Sequence, residues 1–166
     1  AADTAGSNGW NTTNLANKKI FEANNIYYGF TTSYRMGQIL QYHSEEIIRG
    51  DDEDVVSYLA SKLIPMWRKV LKDNGYTTVN NNEESAGTFI VVVEGSIFTV
   101  HNDFSFNIDK DDYVAVGCGA VFAKGSLYTN RYNLDRYATL QAIETAKYFS
   151  NGCGFDTDII EIKIGA

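Results

Sequence analysis

Apolar residues along this chain change period several times, and the changes mark its elements. A Gly/Asn/Thr-rich stretch from Gly6 to Asn17 reads as loop. Lys19 to Phe21 and Asn25 to Thr31 then read as two short strands around a turn at Ala23-Asn24. From Ser33 to Ile48 the apolar positions Met36, Ile39, Leu40, Ile47 and Ile48 keep close to a helical period, with Ser33 as N-cap and Gly50 as stop. The acidic run Asp51 to Asp54 opens a second helix, whose stripe is Val55, Val56, Leu59, Leu63, Met66, Trp67 and Val70. Pro65, the sole proline, is expected to kink or break that helix, and Asn74-Gly75 to end it.

After a surface loop from Asn80 to Ser85 the pattern turns to strand. Phe89 to Val93, Ile97 to His101, Phe104 to Ile108 and Tyr113 to Gly117 are short runs of β-branched and aromatic residues, with turns at Glu94-Gly95 and Asn102-Asp103. Helical character returns at Ala120 to Tyr128 and at Leu134 to Phe149. Ile159, Ile160, Ile162 and Ile164 predict a closing strand. Strands and helices in separate blocks imply an α+β fold, not alternating βαβ units. No repeat or linker divides the 166 residues, so one domain spanning 1–166 is expected.

Charge narrows the function classes. A formal net charge of −7 disfavours a nucleic-acid-binding surface. No apolar run approaches the roughly 20 residues of a membrane helix, so no membrane partner is expected. The two cysteines, Cys118 and Cys153, read as buried thiols of a reducing, cytoplasmic compartment rather than a disulfide. His43 and His101 stand in no metal-ligand spacing, and the run Asp51 to Asp54 lacks the midway glycine and final glutamate of a calcium loop. Val116-Gly117-Cys118-Gly119 offers a strand, Gly-x-Gly and helix, but Phe122 stands where a dinucleotide fingerprint needs its third glycine. No cofactor or metal is therefore expected. Cys118, between two glycines at a strand-to-helix junction, has no neighbouring motif to supply a base, so a small structural residue is its better reading.

Four segments, in order, resemble the proteasome beta-subunit and HslV type of N-terminal-nucleophile (Ntn) hydrolase. Ala1-Ala2-Asp3-Thr4-Ala5 is similar to the end of that family's second strand, where a small pair precedes an aspartate. Lys19 lies 16 positions after Asp3, the family's spacing between its active-site aspartate and lysine. Ile26 to Ser33 resembles the strand and Gly-rich turn carrying the oxyanion-hole amide, and Gly29, Thr31, Thr32 and Ser33 fall in that region. The family usually has a second glycine there, whereas this chain has Thr31-Thr32-Ser33. Tyr113 to Ala120 resembles the Ala-Ile-Gly-Ser-Gly-Gly segment, with Cys118 where a supporting serine is common.

The resemblance implies a four-layer αββα sandwich and a threonine-type peptidase subunit. In such enzymes an N-terminal threonine, serine or cysteine attacks a peptide carbonyl using its own α-amine as base. Lysine and aspartate tune that amine, and backbone N–H groups hold the oxyanion. Asp3 and Lys19 would be the supporting pair. Ala1 has no attacking side chain and matches the end of the second strand, which puts the nucleophile about ten to fifteen residues upstream by ordinary strand and hairpin lengths. Residues 1–166 alone are therefore expected to be inactive. The resemblance further implies a ring-shaped homo-oligomer, a peptide or protein substrate, and an ATPase unfoldase as a conceivable partner. The alternative function is a non-catalytic, proteasome-like structural or assembly protein of a larger particle.

Overall fold

The computed structural model describes residues 1–163. In chain order the elements are β1 (Ala2–Asp3), β2 (Ala5–Ser7), β3 (Thr12–Asn14), β4 (Ile20–Ala23), β5 (Ile26–Phe30), α1 (Tyr34–His43), α2 (Val55–Tyr58), a π-helical turn (Leu59–Leu63) and α3 (Ile64–Asp73). There follow β6 (Thr78–Asn80), β7 (Glu83–Ser85), β8 (Phe89–Val93), β9 (Ser96–Val100), β10 (Phe106–Asn107), α4 (Ala120–Thr129), α5 (Arg136–Phe149) and β11 (Thr157–Asp158). The fold is α+β, and two compact units divide it: residues 21–108, and residues 1–20 with 109–163.

The first unit is built on a five-stranded sheet in the order β10-β9-β8-β5-β4. Along β5, Ile26, Tyr28 and Phe30 are buried, and along β8, Phe89, Val91 and Val93, while the residues between them are half-buried. That period of two sends one set of side chains to a single face. There they join Met36, Ile39 and Leu40 of α1, and Leu63, Trp67 and Leu71 of the second helical run, in one core. β5 pairs antiparallel with β8, and β8 with β9, so Tyr28 stands opposite Val91 and Phe89 opposite Val100. The turns expected around Asn24 and Glu94 are present: Asn24, Asn25, Glu94 and Gly95 all take positive φ, as a two-residue turn matched to strand twist requires.

Helix ends differ from the periodicity. α1 stops at His43, and residues 44–54 form no helix although Ile47 and Ile48 keep the period. Asp54, not Asp51, is the next N-cap, its carboxylate accepting the N–H groups of Val56 and Ser57 at 3.0 Å. The Tyr58 hydroxyl donates to the Ile47 carbonyl and Arg49 pairs with Glu94 at 2.9 Å, so side-chain ties hold this connection without helical hydrogen bonds. Pro65 ends no helix. The regular α-helical ladder is nonetheless broken just before it, as expected of a proline: a π turn lets Ile64 N–H reach back to the Leu59 carbonyl, and Pro65 falls in the first turn of α3. α3 closes on Gly75, at φ +68°: Gly75 N–H bonds the Lys72 carbonyl and Tyr76 N–H the Leu71 carbonyl, a left-handed helix stop. The segment 80–85, expected as loop, is half of the hairpin β6–β7, turned by Asn81 and Asn82 at positive φ.

In the second unit α4 packs on α5 through Ala123, Leu127, Ala142 and Ala146. The small residues Ala138, Ala142 and Ala146 recur every fourth position and are all buried, which lets the helices approach closely. β1 pairs antiparallel with β11. The stretch 6–17, expected as loop, contains the ribbon β2–β3, whose tip carries Trp10, 94% exposed. The strand expected at Tyr113–Gly117 does not form. Its Tyr113 and Ala115 pack on the α4–α5 core instead, and a run of strand-prone residues becomes a strand only where a hydrogen-bonded neighbour exists. The closing strand is likewise confined to Thr157–Asp158; residues 159–163 are irregular, and Ile164 lies outside the described residues.

Candidate active site

Asp3 ends β1, and Lys19 stands one residue before β4. Lys19 Nζ meets Asp3 Oδ1 at 2.8 Å, with both side chains largely shielded, 16% and 13% exposed. The second carboxylate oxygen accepts two backbone N–H groups, from Ala5 at 3.1 Å and from Gly154 at 3.0 Å. One carboxylate therefore ties together β1, the approach to β4 and the loop after α5. Charge-assisted bonds of this kind are about twice as strong as neutral ones, and a shielded pair escapes most solvent screening. A lysine fixed in this way presents an immobile ammonium, which favours the neutral form of a nearby amine and the ionised form of a nearby hydroxyl or thiol.

Thr4 is buried beside this pair. Its hydroxyl donates to Asn14 Oδ1 at 2.6 Å and accepts from Asp156 N–H at 3.0 Å. Its proton and one lone pair are thus taken up in tying this residue to β3 and to the loop before β11. This matches a structural threonine.

Cys118 occupies the turn between residues 113–116 and α4. It is exposed, which corrects its reading as a buried thiol. Cys153 faces it, Sγ to Sγ 3.7 Å, and both are free thiols. Burial, the facing Cys118 sulfur and the Asp3 carboxylate outweigh a hydrogen bond to Ser150 and push the Cys153 thiol up to about 11. Sequence reasoning missed Cys153 and Gly154 as neighbours of the pair. A signal was present: Gly117-Cys118-Gly119 and Gly152-Cys153-Gly154 are the same triplet twice.

The turn residues lie in the other unit. Gly29 is within β5, opposite Ile90, and holds a ladder position instead of the turn. Thr31 N–H bonds the Thr88 carbonyl at 3.3 Å and Ser33 N–H bonds the Thr31 carbonyl at 2.9 Å. Ser33 Oγ in turn caps α1 by accepting Arg35 N–H at 3.1 Å, as expected of an N-cap. Thr32 thus centres a three-residue turn at φ +75°, a conformation a β-branched residue rarely takes. Among the described residues, no protein acceptor takes the Thr32 N–H.

No family model matches the chain, and no curated protein matches it either. Solved structures do. Thiobacillus denitrificans BPH matches with a TM-score of 0.73 and 19% identity, covering 93% of this chain and 86% of that one. The same protein in complex with epoxomicin matches with a TM-score of 0.71 at 19% identity and the same coverage. Eukaryotic HslV from Trypanosoma brucei matches with a TM-score of 0.59 and 14% identity, over 92% of this chain and 86% of that one. The fold is therefore the proteasome-like, HslV-type fold of N-terminal-nucleophile hydrolases. At these identities the likeness is one of fold.

Proposed function

We propose that the chain is a proteasome/HslV-like peptidase subunit. It hydrolyses peptide bonds with a threonine-type nucleophile supplied from outside residues 1–166, and all of 1–166 serves as one catalytic domain. The observation that carries this reading is the shielded Asp3–Lys19 pair at 2.8 Å, in a fold matched over 93% of the chain. Lys19 holds the attacking amine neutral and helps the hydroxyl lose its proton; Asp3 fixes Lys19; Cys118 supports the pair. The free Thr32 N–H is the donor we assign to the oxyanion, ahead of Gly29, Thr31 and Ser33. Attack forms the bond from hydroxyl to carbonyl carbon, the proton passes through the amine to the leaving nitrogen, and water then releases the acyl group.

Assembly is part of the proposal: a homo-oligomeric ring in the cytoplasm, open to an ATPase unfoldase. Val121, Phe122, Tyr148 and Phe149 give α4 and α5 an exposed apolar surface that suits self-association. No helix among the described residues is long and apolar enough to cross a membrane. A second reading, a non-catalytic structural or assembly protein, has one observation in its favour, the β-branched Thr32 where the turn calls for glycine.

The test assays fluorogenic peptides with the parent chain, including the residues encoded upstream of Ala1, and with residues 1–166 alone. Turnover by the parent, blocked by epoxomicin and reduced at least about a hundredfold by Lys19→Ala, supports the peptidase. A parent that assembles but neither turns over peptides nor reacts with epoxomicin establishes the structural protein. Lys19-dependent turnover by 1–166 would place the nucleophile within this chain.

A further inference from the structure

The two glycine-flanked cysteines interlock. A Cβ at Gly152 would lie 2.5 Å from Cys118 Sγ, and one at Gly119 would lie 2.7 Å from Cys153 Sγ. Each sulfur occupies the space left by a glycine of the other triplet, so the backbone is shaped around the pair. The sulfurs are in contact at 3.7 Å, one of them open to solvent, and no other thiol is present in the chain. Beside them, Gly154 N–H bonds Asp3 Oδ2 at 3.0 Å.

We propose that Cys118 and Cys153 form a reversible disulfide under peroxide, and that its closure loosens the Gly154 contact that helps hold Asp3 against Lys19. The chemistry takes two steps. The exposed Cys118 thiolate attacks the peroxide; the O–O bond breaks, water leaves, and the sulfur becomes a sulfenic acid. Cys153 Sγ then attacks that sulfur, the S–O bond breaks, a second water leaves and the S–S bond forms. The two thiols lose two electrons and two protons, and the peroxide takes both. A dithiol reductant reverses the change. In a reducing compartment such a bond is transient, as a redox-responsive bond must be.

Geometry gives the bond its effect. Closing the sulfurs from 3.7 Å to about 2 Å draws the two glycine-flanked turns together by side-chain rotation and backbone adjustment. Cys118 stands two residues before α4, and Cys153 lies in the loop between α5 and β11, its N–H bonded to the Ser150 carbonyl at 3.1 Å. Adjustment at Cys153 acts on the next residue, Gly154, and on its hydrogen bond to Asp3. Oxidation thus reaches the Asp3–Lys19 pair through one residue, whether or not the pair serves hydrolysis.

The experiment treats the protein with hydrogen peroxide, blocks remaining thiols with iodoacetamide and maps the peptides by mass spectrometry. Amide exchange at Gly154 is followed in parallel. The expected result is an intramolecular 118–153 cross-link removed by dithiothreitol, with Gly154 exchange at least about tenfold faster when cross-linked. Cys118→Ser should show no cross-link and no change in Gly154 exchange under peroxide. Oxidation of Cys118 to sulfinic acid while Cys153 still alkylates, cross-links only between molecules, or Gly154 exchange unaltered by the cross-link would each overturn the proposal. Neither readout uses peptide hydrolysis, so its failure is separate from failure of the peptidase reading.

Discussion

Asp3 and Lys19 are partners of unequal weight. Asp3 serves Lys19 and two backbone donors, while Lys19 has Asp3 as the ion-pair partner seen here. Removing a buried acceptor strands its donors, so Asp3→Ala should cost about 2–4 kcal/mol in urea unfolding, and Lys19→Met about 1 kcal/mol. Equal losses would show that the backbone bonds to Asp3 contribute little. Tyr28 makes a second residue-level test. Its hydroxyl accepts the Trp67 indole N–H at 3.0 Å within the core, and burial pushes its pKa from 10.0 to about 12. The folded protein keeps this proton where the unfolded chain, near pH 10, releases it. The contribution is whole below pH 10 and disappears as pH rises from 10 to about 12, an alkaline loss of about 2–3 kcal/mol. Tyr28→Phe should flatten that slope in denaturation measured across pH, at a cost near neutrality of about 1–2 kcal/mol for the unpaired indole.

At the scale of elements, strain and its relief can be separated at two turns. Gly75 takes φ +68° with open space where a Cβ would stand. Gly75→Ala should therefore lose about 1 kcal/mol from backbone conformation alone. Thr32 carries the reverse burden at φ +75°, so Thr32→Gly should gain up to about 1 kcal/mol by thermal unfolding. If the Thr32 N–H is the oxyanion donor, turnover in the parent should survive that change, because glycine keeps the N–H. Elements that carry their own signals were legible in the sequence. β5, β8, α4 and α5 emerge from side-chain pattern, and the left-handed stop at Gly75 from one residue. The ion pair of Asp3 and Lys19 was anticipated only through the family resemblance, since an aspartate and a lysine 16 positions apart carry no such signal by themselves. Residues 113–117 misled because strand propensity says nothing about whether a partner strand is available. The ribbons β2–β3 and β6–β7 were hidden for the converse reason: polar, exposed strands have no hydrophobic alternation, and only Asn81-Asn82 hinted at the second. Cys153 was missed because a contact between distant loops leaves no period.

For the whole molecule, burial is uneven between the units. The core of residues 21–108 gathers Trp67, Phe89, Phe98, Met36 and Leu71 at near-zero exposure, whereas the α4–α5 core rests on alanines and one leucine. Larger apolar burial gives the first unit the greater resistance to opening. Native-state hydrogen exchange should find the slowest amides in Phe89–Val93 and the middle of α3, and much faster exchange across residues 109–117, which form no ladder. Uniform protection across both units would contradict this order.

The hairpin tip at Trp10 has an optical consequence. The chain holds two tryptophans, one in each unit, and their surroundings are opposite: Trp10 is 94% exposed and Trp67 is 0%. Their emissions should separate, a red component open to acrylamide quenching from Trp10 and a blue, protected component from Trp67. The unlabelled protein thus carries two reporters: a fading blue band marks melting of the core, and loss of quenching in the red band marks a neighbour settling over the hairpin.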